Sequence, residues 1–304
     1  MMAALRETFH YLRTLNASIA EHEIIDRSAQ VAYFLLLSVF PFLVALLGLL
    51  AQFELQEEVA LLEELVRDGL PGVMADMLVT EIENIAFAET SGRIIVGFAI
   101  GLYVTHRASH ALILGVNKAW NTREDRNFLM VRGIAVAMAI GAMLSVILLL
   151  VGLVFGDWLL GVMHQREWMS EVMVGWIRIL RWPLILFLGH LAINITFRLG
   201  ANTPLRWRWS TWGSLFATVS WVIIIEGFQL YVTRITDLGA AYGSLGAAAG
   251  LLILFYSLVS AVFVGAEIDA LNYTRRDLRH ARRMARRRAR GLGLDDEAPD
   301  VQSP

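Results

Sequence analysis

The chain has no cysteine among its 304 residues, so disulfides, thiolate metal ligands and cysteine nucleophiles are excluded. It also lacks the nucleophile elbow of hydrolases and the glycine-rich loop of nucleotide-binding proteins. His106 and His110 are its one histidine pair at helical i, i+4 spacing, but no glutamate stands between them as in zinc peptidases. The sequence therefore predicts neither a metal nor another cofactor, and no enzymatic activity.

Charge is also scarce, because charged residues make up only 18% of the chain and hydrophobic residues 57%, with a mean hydropathy of +0.56. A water-soluble domain cannot bury so large a share of apolar side chains, whereas a bilayer solvates them directly. The first long apolar run begins near Val31, and no small-residue cleavage site follows it. It is therefore predicted to be a membrane span and not a cleaved signal peptide.

Six segments are long and apolar enough to cross a bilayer, which takes about 20 residues of helix. The second and the fourth of them also carry histidine and arginine. Continuous runs of this length exclude the strands of a membrane barrel, which are shorter and alternate in polarity. We therefore predict an all-α, polytopic membrane bundle of about six transmembrane helices within residues 31–271, with spans at 31–51, 94–116, 133–155, 172–197, 209–232 and 246–271.

Basic residues concentrate in alternate connections between the predicted spans. The first 30 residues, the fourth-to-fifth connection and the C-terminal tail are rich in them, as is the second-to-third connection with Lys118, Arg123, Arg126 and Arg132. The other three connections hold only Arg67, Arg93, Arg166 and Arg234. Because lysine and arginine favour the cytoplasmic side of a membrane, both termini are predicted to lie in the cytoplasm.

Three segments are predicted to lie outside the hydrocarbon core. Residues 1–30 have the pattern of an amphipathic helix in the cytoplasmic interface. Residues 52–93 are acidic and are divided by Pro71-Gly72, which predicts a helical hairpin that is either a solvated cap or a gate or partner-docking surface. Residues 272–304 form a basic, partly disordered tail. The arginines between Arg275 and Arg290 are predicted to bind anionic lipid headgroups, and not nucleic acid.

Several polar residues fall inside predicted spans, where they cost free energy unless they face a partner, water or a pathway. Arg107 lies near the middle of the second span, and Glu226 lies at a depth that permits a pair with Arg178 or Arg181. Two interpretations stay open: polar contacts between helices, or a pathway for an ion or an anionic headgroup. The pathway or gating candidates are Arg107, His106, His110, Arg178, Arg181, Glu226, His190, Asn194, Glu267 and the kink-forming Pro41.

Several motifs share their order and spacing with one family. They are the run from Ala32 to Pro41 (AYFLLLSVFP); Asn117, Trp120 and Arg126; Phe197-Arg198, Pro204 and Trp212-Gly213; Phe228 and Tyr231; Tyr242 to Gly246 (YGSLG); and Gly265 to Ile268 (GAEI). Over roughly residues 5–275 the chain resembles the YihY/BrkB family of bacterial inner-membrane proteins. It departs from the family pattern at Ala240-Ala241 and at Phe255.

The resemblance implies a multi-pass protein of the bacterial cytoplasmic (inner) membrane, in a family associated with the virulence factor BrkB. It implies transport of a lipid or of an anionic or amphiphilic solute, with the phospholipid bilayer as the surroundings. A non-transporting envelope scaffold is the alternative. Some members once carried the label ribonuclease BN, which makes a membrane-tethered ribonuclease a remote third alternative. No acidic or histidine metal cluster in this sequence supports it.

Overall fold

The computed structural model describes residues 2–52, 91–165, 170–203, 209–234 and 238–291, together with residues 60, 63–64, 66–67, 75–76 and 78–80. Within these residues the chain forms seven long helices and no strand. The helices are α1 (Met2–Glu21), α2 (Ile24–Gln52), α3 (Ser91–Ala119), α4 (Phe128–Gln165), α5 (Glu171–Gly200), α6 (Trp212–Arg234) and α7 (Leu238–Gly291). The predicted all-α architecture is confirmed.

Five of these helices are long and apolar enough to cross a membrane. Their candidate spans are Ile24–Phe42, Phe128–Ile147, Val172–Gly200, Trp212–Tyr231 and Ala248–Tyr273. Helix α3 contains the predicted second span but is not among the five, because His106, Arg107 and His110 lower its mean hydropathy. A multi-pass helical membrane protein is therefore confirmed, whereas the predicted number of six spans and the cytoplasmic position of both termini stay predictions.

Helices α2 to α6 each have one end at the same end of the bundle, and α7 passes that end through its residues Glu267 and Asp269. The loop between α3 and α4 hydrogen-bonds to the last residues of α5 through Arg126. The start of α6 is bonded to α7 through Gly213 and Asp269. The turn before α2 contacts α7 through His22 and Glu267. We call this end of the bundle the α1 end.

Helices α6 and α7 cross with their backbones in contact near the α1 end. A Cβ added at Gly213 would overlap the carbonyl oxygen of Gly265, and a Cβ added at Gly265 would meet the carbonyl of Gly213. Gly115 of α3 is covered in the same way by the ring of Phe263, which is fully buried on α7. Accordingly α7 is the most buried of the five candidate spans, whereas α5 is the least buried.

The described part of the basic tail is helical. Helix α7 continues without a break to Gly291, so the arginine-rich segment prolongs the last span. Residues 292–304, the end of the tail that is predicted to be partly disordered, lie outside the described residues. At the other terminus, α1 leaves Phe9 and Leu12 exposed, and its interfacial position stays a prediction.

The predicted outer hairpin, residues 52–93, falls largely outside the described residues. In the described part, Arg67 Nη1 lies 2.7 Å from Asp76 Oδ1, so one ion pair bridges the two sides of the Pro71-Gly72 break. The buried apolar residues here follow helical spacing and are Ala75, Leu78 and Val79. The role of the hairpin, as a solvated cap or as a gate or partner-docking surface, stays a prediction.

Candidate functional site

A buried pair joins the turn before α2 to helix α7. His22 Nδ1 lies 2.5 Å from Glu267 Oε1, and the glutamate is only 1% exposed. The turn between α1 and α2 depends on Glu23, whose φ of 54° lies in the left-handed region that few side chains adopt. The predicted pathway candidate Glu267 is thus engaged by a histidine at the α1 end, where the imidazole is the hydrogen-bond partner of the buried carboxyl group.

The loop between α3 and α4 is fastened to the end of α5 by Arg126. Its guanidinium donates to both carboxylate oxygens of Glu124, at 2.7 and 2.6 Å, and to the carbonyl oxygens of Leu199 and Gly200, at 2.9 and 2.8 Å. Asn117 Nδ2 also donates to Glu124, at 2.6 Å. The hydrogen bonds from Arg126 are the main reason why the pKa of Glu124 lies below its ordinary value. This arrangement holds the loop in place.

A second polar group lies between α3 and α4. Arg132 Nη1 is 3.4 Å from His106 Nε2, and the rings of His106 and His110 stack with centroids 6.4 Å apart. Arg132 Cζ also lies 5.1 Å from the centroid of the Phe128 ring. Because a guanidinium has no acceptor, Arg132 donates to the imidazole nitrogen. We call His106, His110 and Arg132 the His–Arg cluster.

Arg107 occupies a different face of α3 from its neighbour His106. Successive residues of an α-helix are rotated by about 100°. As a result His106 faces Arg132 of α4, whereas Arg107 Cζ lies 5.3 Å from the ring centroid of Phe34 on α2. The side chain of Arg107 is exposed. The structure therefore separates two adjacent pathway candidates and directs them to different helices.

Two further candidates lie on α5. His190 Nδ1 is 3.0 Å from Thr218 Oγ1, which links α5 to α6. Asn194 lies one turn further along and is buried, and its Nδ2 has no hydrogen-bond partner within the described residues. Both candidates therefore lie on α5, and His190 is directed towards α6.

The predicted pair of Glu226 with an arginine of α5 stays a prediction. Glu226 is exposed on α6. Arg181 is half-buried, and its Cζ lies 5.8 Å from the ring centroid of Trp182. The side chain of Arg178 is outside the described ones.

Pro41 lies inside α2, as predicted, and removes one backbone donor from that helix. Gly101 of α3 packs against it, since a Cβ built at Gly101 would stand 3.5 Å from the Pro41 side chain. Gly97, four residues earlier in α3, is also buried, so these two small residues serve close helix packing.

His22 and Arg132 are residues that sequence reasoning does not single out as site residues. Arg132 is counted with the second-to-third connection, yet it lies inside the candidate span Phe128–Ile147. The apolar residues 128–131 just before it are the signal that could have placed it in the membrane. For His22 there is no comparable signal, because no local pattern links it to a glutamate 245 residues away.

Comparison with known proteins agrees with these features. The chain matches the family described as Virulence factor BrkB over residues 17–290. One relative, named "Putative ribonuclease-like protein YfkH", from Bacillus subtilis (strain 168), is 27% identical over 271 residues, which cover 88% of this chain and 97% of the relative. No solved structure matches the chain. Because the match runs from α1 to the end of α7, this chain belongs to the virulence factor BrkB family.

Proposed function

We propose that the chain is a transporter-like membrane protein that moves a lipid or another anionic, amphiphilic solute. The proposal depends on Arg107, whose exposed side chain sits about 18 Å of helical rise from the end of α3 at Ala119. An arginine at the bilayer centre costs about 3 kcal/mol or more. Its contact with the Phe34 ring stabilises it by only about 0.5–1 kcal/mol. Water in a hydrated path, or a passing anion, would give the Arg107 guanidinium the polar partner that the Phe34 ring does not provide.

The proposal requires α3 to cross the membrane as a sixth span. Its 29 residues correspond to a length of about 44 Å, which exceeds the hydrocarbon thickness of about 30 Å. Helix α3 contacts α2, α4, α5 and α7. A helix of lower hydropathy is tolerated in a membrane when neighbouring helices replace much of the lipid around it. The four helices packed around α3 therefore support its assignment as a membrane span.

The proposal also places the α1 end in the cytoplasm of a bacterial cell, at its cytoplasmic membrane. Basic residues gather there, among them Lys118 and Arg123 near the α3–α4 loop, Arg198 at the end of α5, and the arginines that follow Tyr273. Such clustering is the usual mark of the cytoplasmic side. With six spans both termini lie on this side, and the acidic segment 52–93 lies on the other.

The proposal includes no enzymatic activity. The term ribonuclease-like belongs to the name of the Bacillus relative, which shares 27% identity with this chain. Metal-assisted hydrolysis needs several carboxylate or histidine ligands around one ion. In the described residues no group of three such side chains comes together. The ionisable residues that the structure does describe in the spans suit solute contact better than RNA hydrolysis.

Transbilayer movement of a labelled phospholipid in proteoliposomes tests the proposal. We would compare the wild type with Arg107→Ala, Glu226→Gln and the control Arg123→Gln, whose side chain is exposed in the α3–α4 loop. We expect movement by the wild type and the control, and a loss of about tenfold in Arg107→Ala, which corresponds to one lost charged contact. No movement above empty liposomes would contradict lipid transport and favour the scaffold, which co-purifying partners would then identify.

A further inference from the structure

Arg132 is a cation inside a candidate membrane span, and it has no carboxylate partner in the part of the chain that the structure describes. The ion pairs among the described residues involve His22, Arg27, Arg67 and Arg126 instead. Among the residues that the structure describes, the guanidinium of Arg132 contacts the His106 ring and the Phe128 ring, neither of which carries negative charge. Since a guanidinium has five N–H donors, most of them stay available to a ligand.

The acidic residue of the neighbouring loop is already engaged. Glu124 accepts hydrogen bonds from Arg126 through both carboxylate oxygens and from Asn117 through one of them. Arg126 also donates hydrogen bonds to two carbonyl oxygens of α5. The two arginines therefore differ in their hydrogen bonding. The guanidinium donors of Arg126 are used within the protein, whereas most of those of Arg132 are not.

The histidines of the His–Arg cluster add donors next to Arg132. His106 accepts from Arg132 through Nε2, so its neutral ring carries the proton on Nδ1 and can donate it. The ring of His110 stacks on that of His106 at an interplanar angle of 27°. All three residues are only partly buried. Helices α3 and α4 together thus present a guanidinium and two imidazoles to the same region.

The position of Arg132 fits the headgroup layer of a bilayer. It lies four residues after Phe128, or about 6 Å of helical rise from the start of α4. The three residues at that start are apolar and face outwards, with exposures of 68% at Phe128, 74% at Leu129 and 58% at Met130. A headgroup region occupies about 5–8 Å on each side of the hydrocarbon core. The backbone of Arg132 therefore lies near the headgroup layer, and its guanidinium extends towards His106, which lies deeper in the membrane beside Arg107, so a lipid phosphate reaches the cluster from the headgroup side.

We propose that the His–Arg cluster binds the phosphate group of an anionic membrane amphiphile, an inference that rests on the proposed function and names the chemistry of its solute. Arginine binds phosphate through parallel N–H donors. The imidazoles contribute one further donor each. A phosphate oxyanion supplies the negative charge that the cluster lacks, and the outward-facing apolar residues of α4 contact the acyl chains. Free phosphate shares this chemistry without the acyl chains.

Binding of phosphatidic acid to the delipidated full-length protein in detergent tests the proposal, with bound lipid counted by native mass spectrometry. The proteins are the wild type, Arg132→Gln, His110→Gln and the control Arg123→Gln, which makes the same change at an exposed loop position. We expect equal affinity for the wild type and the control. We expect a loss of about tenfold for Arg132→Gln, where a charge-assisted contact is removed, and of about threefold for His110→Gln.

Equal affinity of all four proteins for phosphatidic acid would overturn the proposal. If Arg132→Gln does not fold, as its thermal unfolding would show, His110→Gln decides alone. Competition by inorganic phosphate that displaces the lipid from the wild type would support the site and identify free phosphate as its ligand. Lipid movement is measured on the same proteins in proteoliposomes. Binding without movement upholds the site and contradicts transport, whereas movement with unchanged binding in Arg132→Gln overturns the site alone.

Discussion

His22 Nδ1 lies 2.5 Å from Glu267 Oε1 although 245 residues separate them along the chain. The contact ties the turn between α1 and α2 to α7, so the first and the last candidate spans are joined at the α1 end. Glu267 is 1% exposed, and a carboxylate buried to that degree needs a partner. The pair therefore joins the turn before the first candidate span to the last candidate span.

Removal of one partner of this pair is expected to destabilise the protein. His22→Ala leaves the carboxyl group of Glu267 buried without its hydrogen-bond partner, and a buried polar group left in this way typically costs about 1–3 kcal/mol. The measurement is the midpoint of thermal unfolding in detergent. His10→Ala, which replaces an exposed histidine of α1, is the control and is expected to unfold as the wild type does. Unchanged midpoints in both variants would contradict this role of the pair.

Gly213→Ala is expected to separate α6 from α7. The added methyl group would overlap the carbonyl oxygen of Gly265, so the two backbones must move apart. Overpacking of this kind costs about 1–3 kcal/mol, and more where backbone cannot yield. Thermal unfolding of the purified variant measures the loss.

Gly227→Ala provides the matched control on the same helix, because no described atom other than its chain neighbours and the nearby helix backbone lies within 4 Å of the added methyl group. It is expected to be neutral or to stabilise α6 by up to about 1 kcal/mol, since alanine is the better helix former. If Gly213→Ala were as stable as Gly227→Ala, the close crossing of α6 and α7 would be wrong.

Acidification is expected to weaken the anchor of the α3–α4 loop. The pKa of Glu124 lies below its ordinary value, chiefly because Arg126 hydrogen-bonds to the carboxylate. The folded state thus prefers the charged form, and this stabilisation is present above the ordinary pKa and lost as the pH falls through the lowered one. We expect the midpoint temperature of thermal unfolding to decrease once the pH is below about 4.

Two substitutions in the same loop check the source of this pH dependence. Glu124→Gln cannot titrate and is expected to lose part of the acid-dependent fall. Asp125→Asn replaces an exposed neighbour and is expected to keep the wild-type profile. An identical pH profile for Glu124→Gln and the wild type would assign the acid sensitivity to other groups.

Arg107→Leu is expected to reduce transport more than it reduces accumulation in the membrane. The guanidinium is exposed and contacts the Phe34 ring at 5.3 Å, so its removal costs little packing, about 0.5–1 kcal/mol. Quantified protein in the membrane fraction, set beside lipid movement per molecule, separates the two effects. A variant that fails to accumulate would make Arg107 a structural residue and remove the main support for a pathway.

The membrane fold was predictable because lipid imposes rules that act locally. Each span must bond its own backbone and needs about 20 apolar residues in a row, which can be read from short windows such as the one in α6. The same rule explains why α3 is the exception. Its polar residues His106, Arg107 and His110 lower its hydropathy, and its neighbours α2, α4, α5 and α7 surround it. Those neighbours cannot be read from the segment itself.

Hydropathy and motif order are properties of the linear chain, and they identify a helical, multi-pass membrane protein of the virulence factor BrkB family. Which polar groups meet depends on the tertiary structure. It joins His22 to Glu267 and Arg132 to His106, and it directs Arg107 to a different helix. The physical reason is that such contacts depend on which helices are neighbours and on their rotation, and a step of one residue turns a side chain by about 100°.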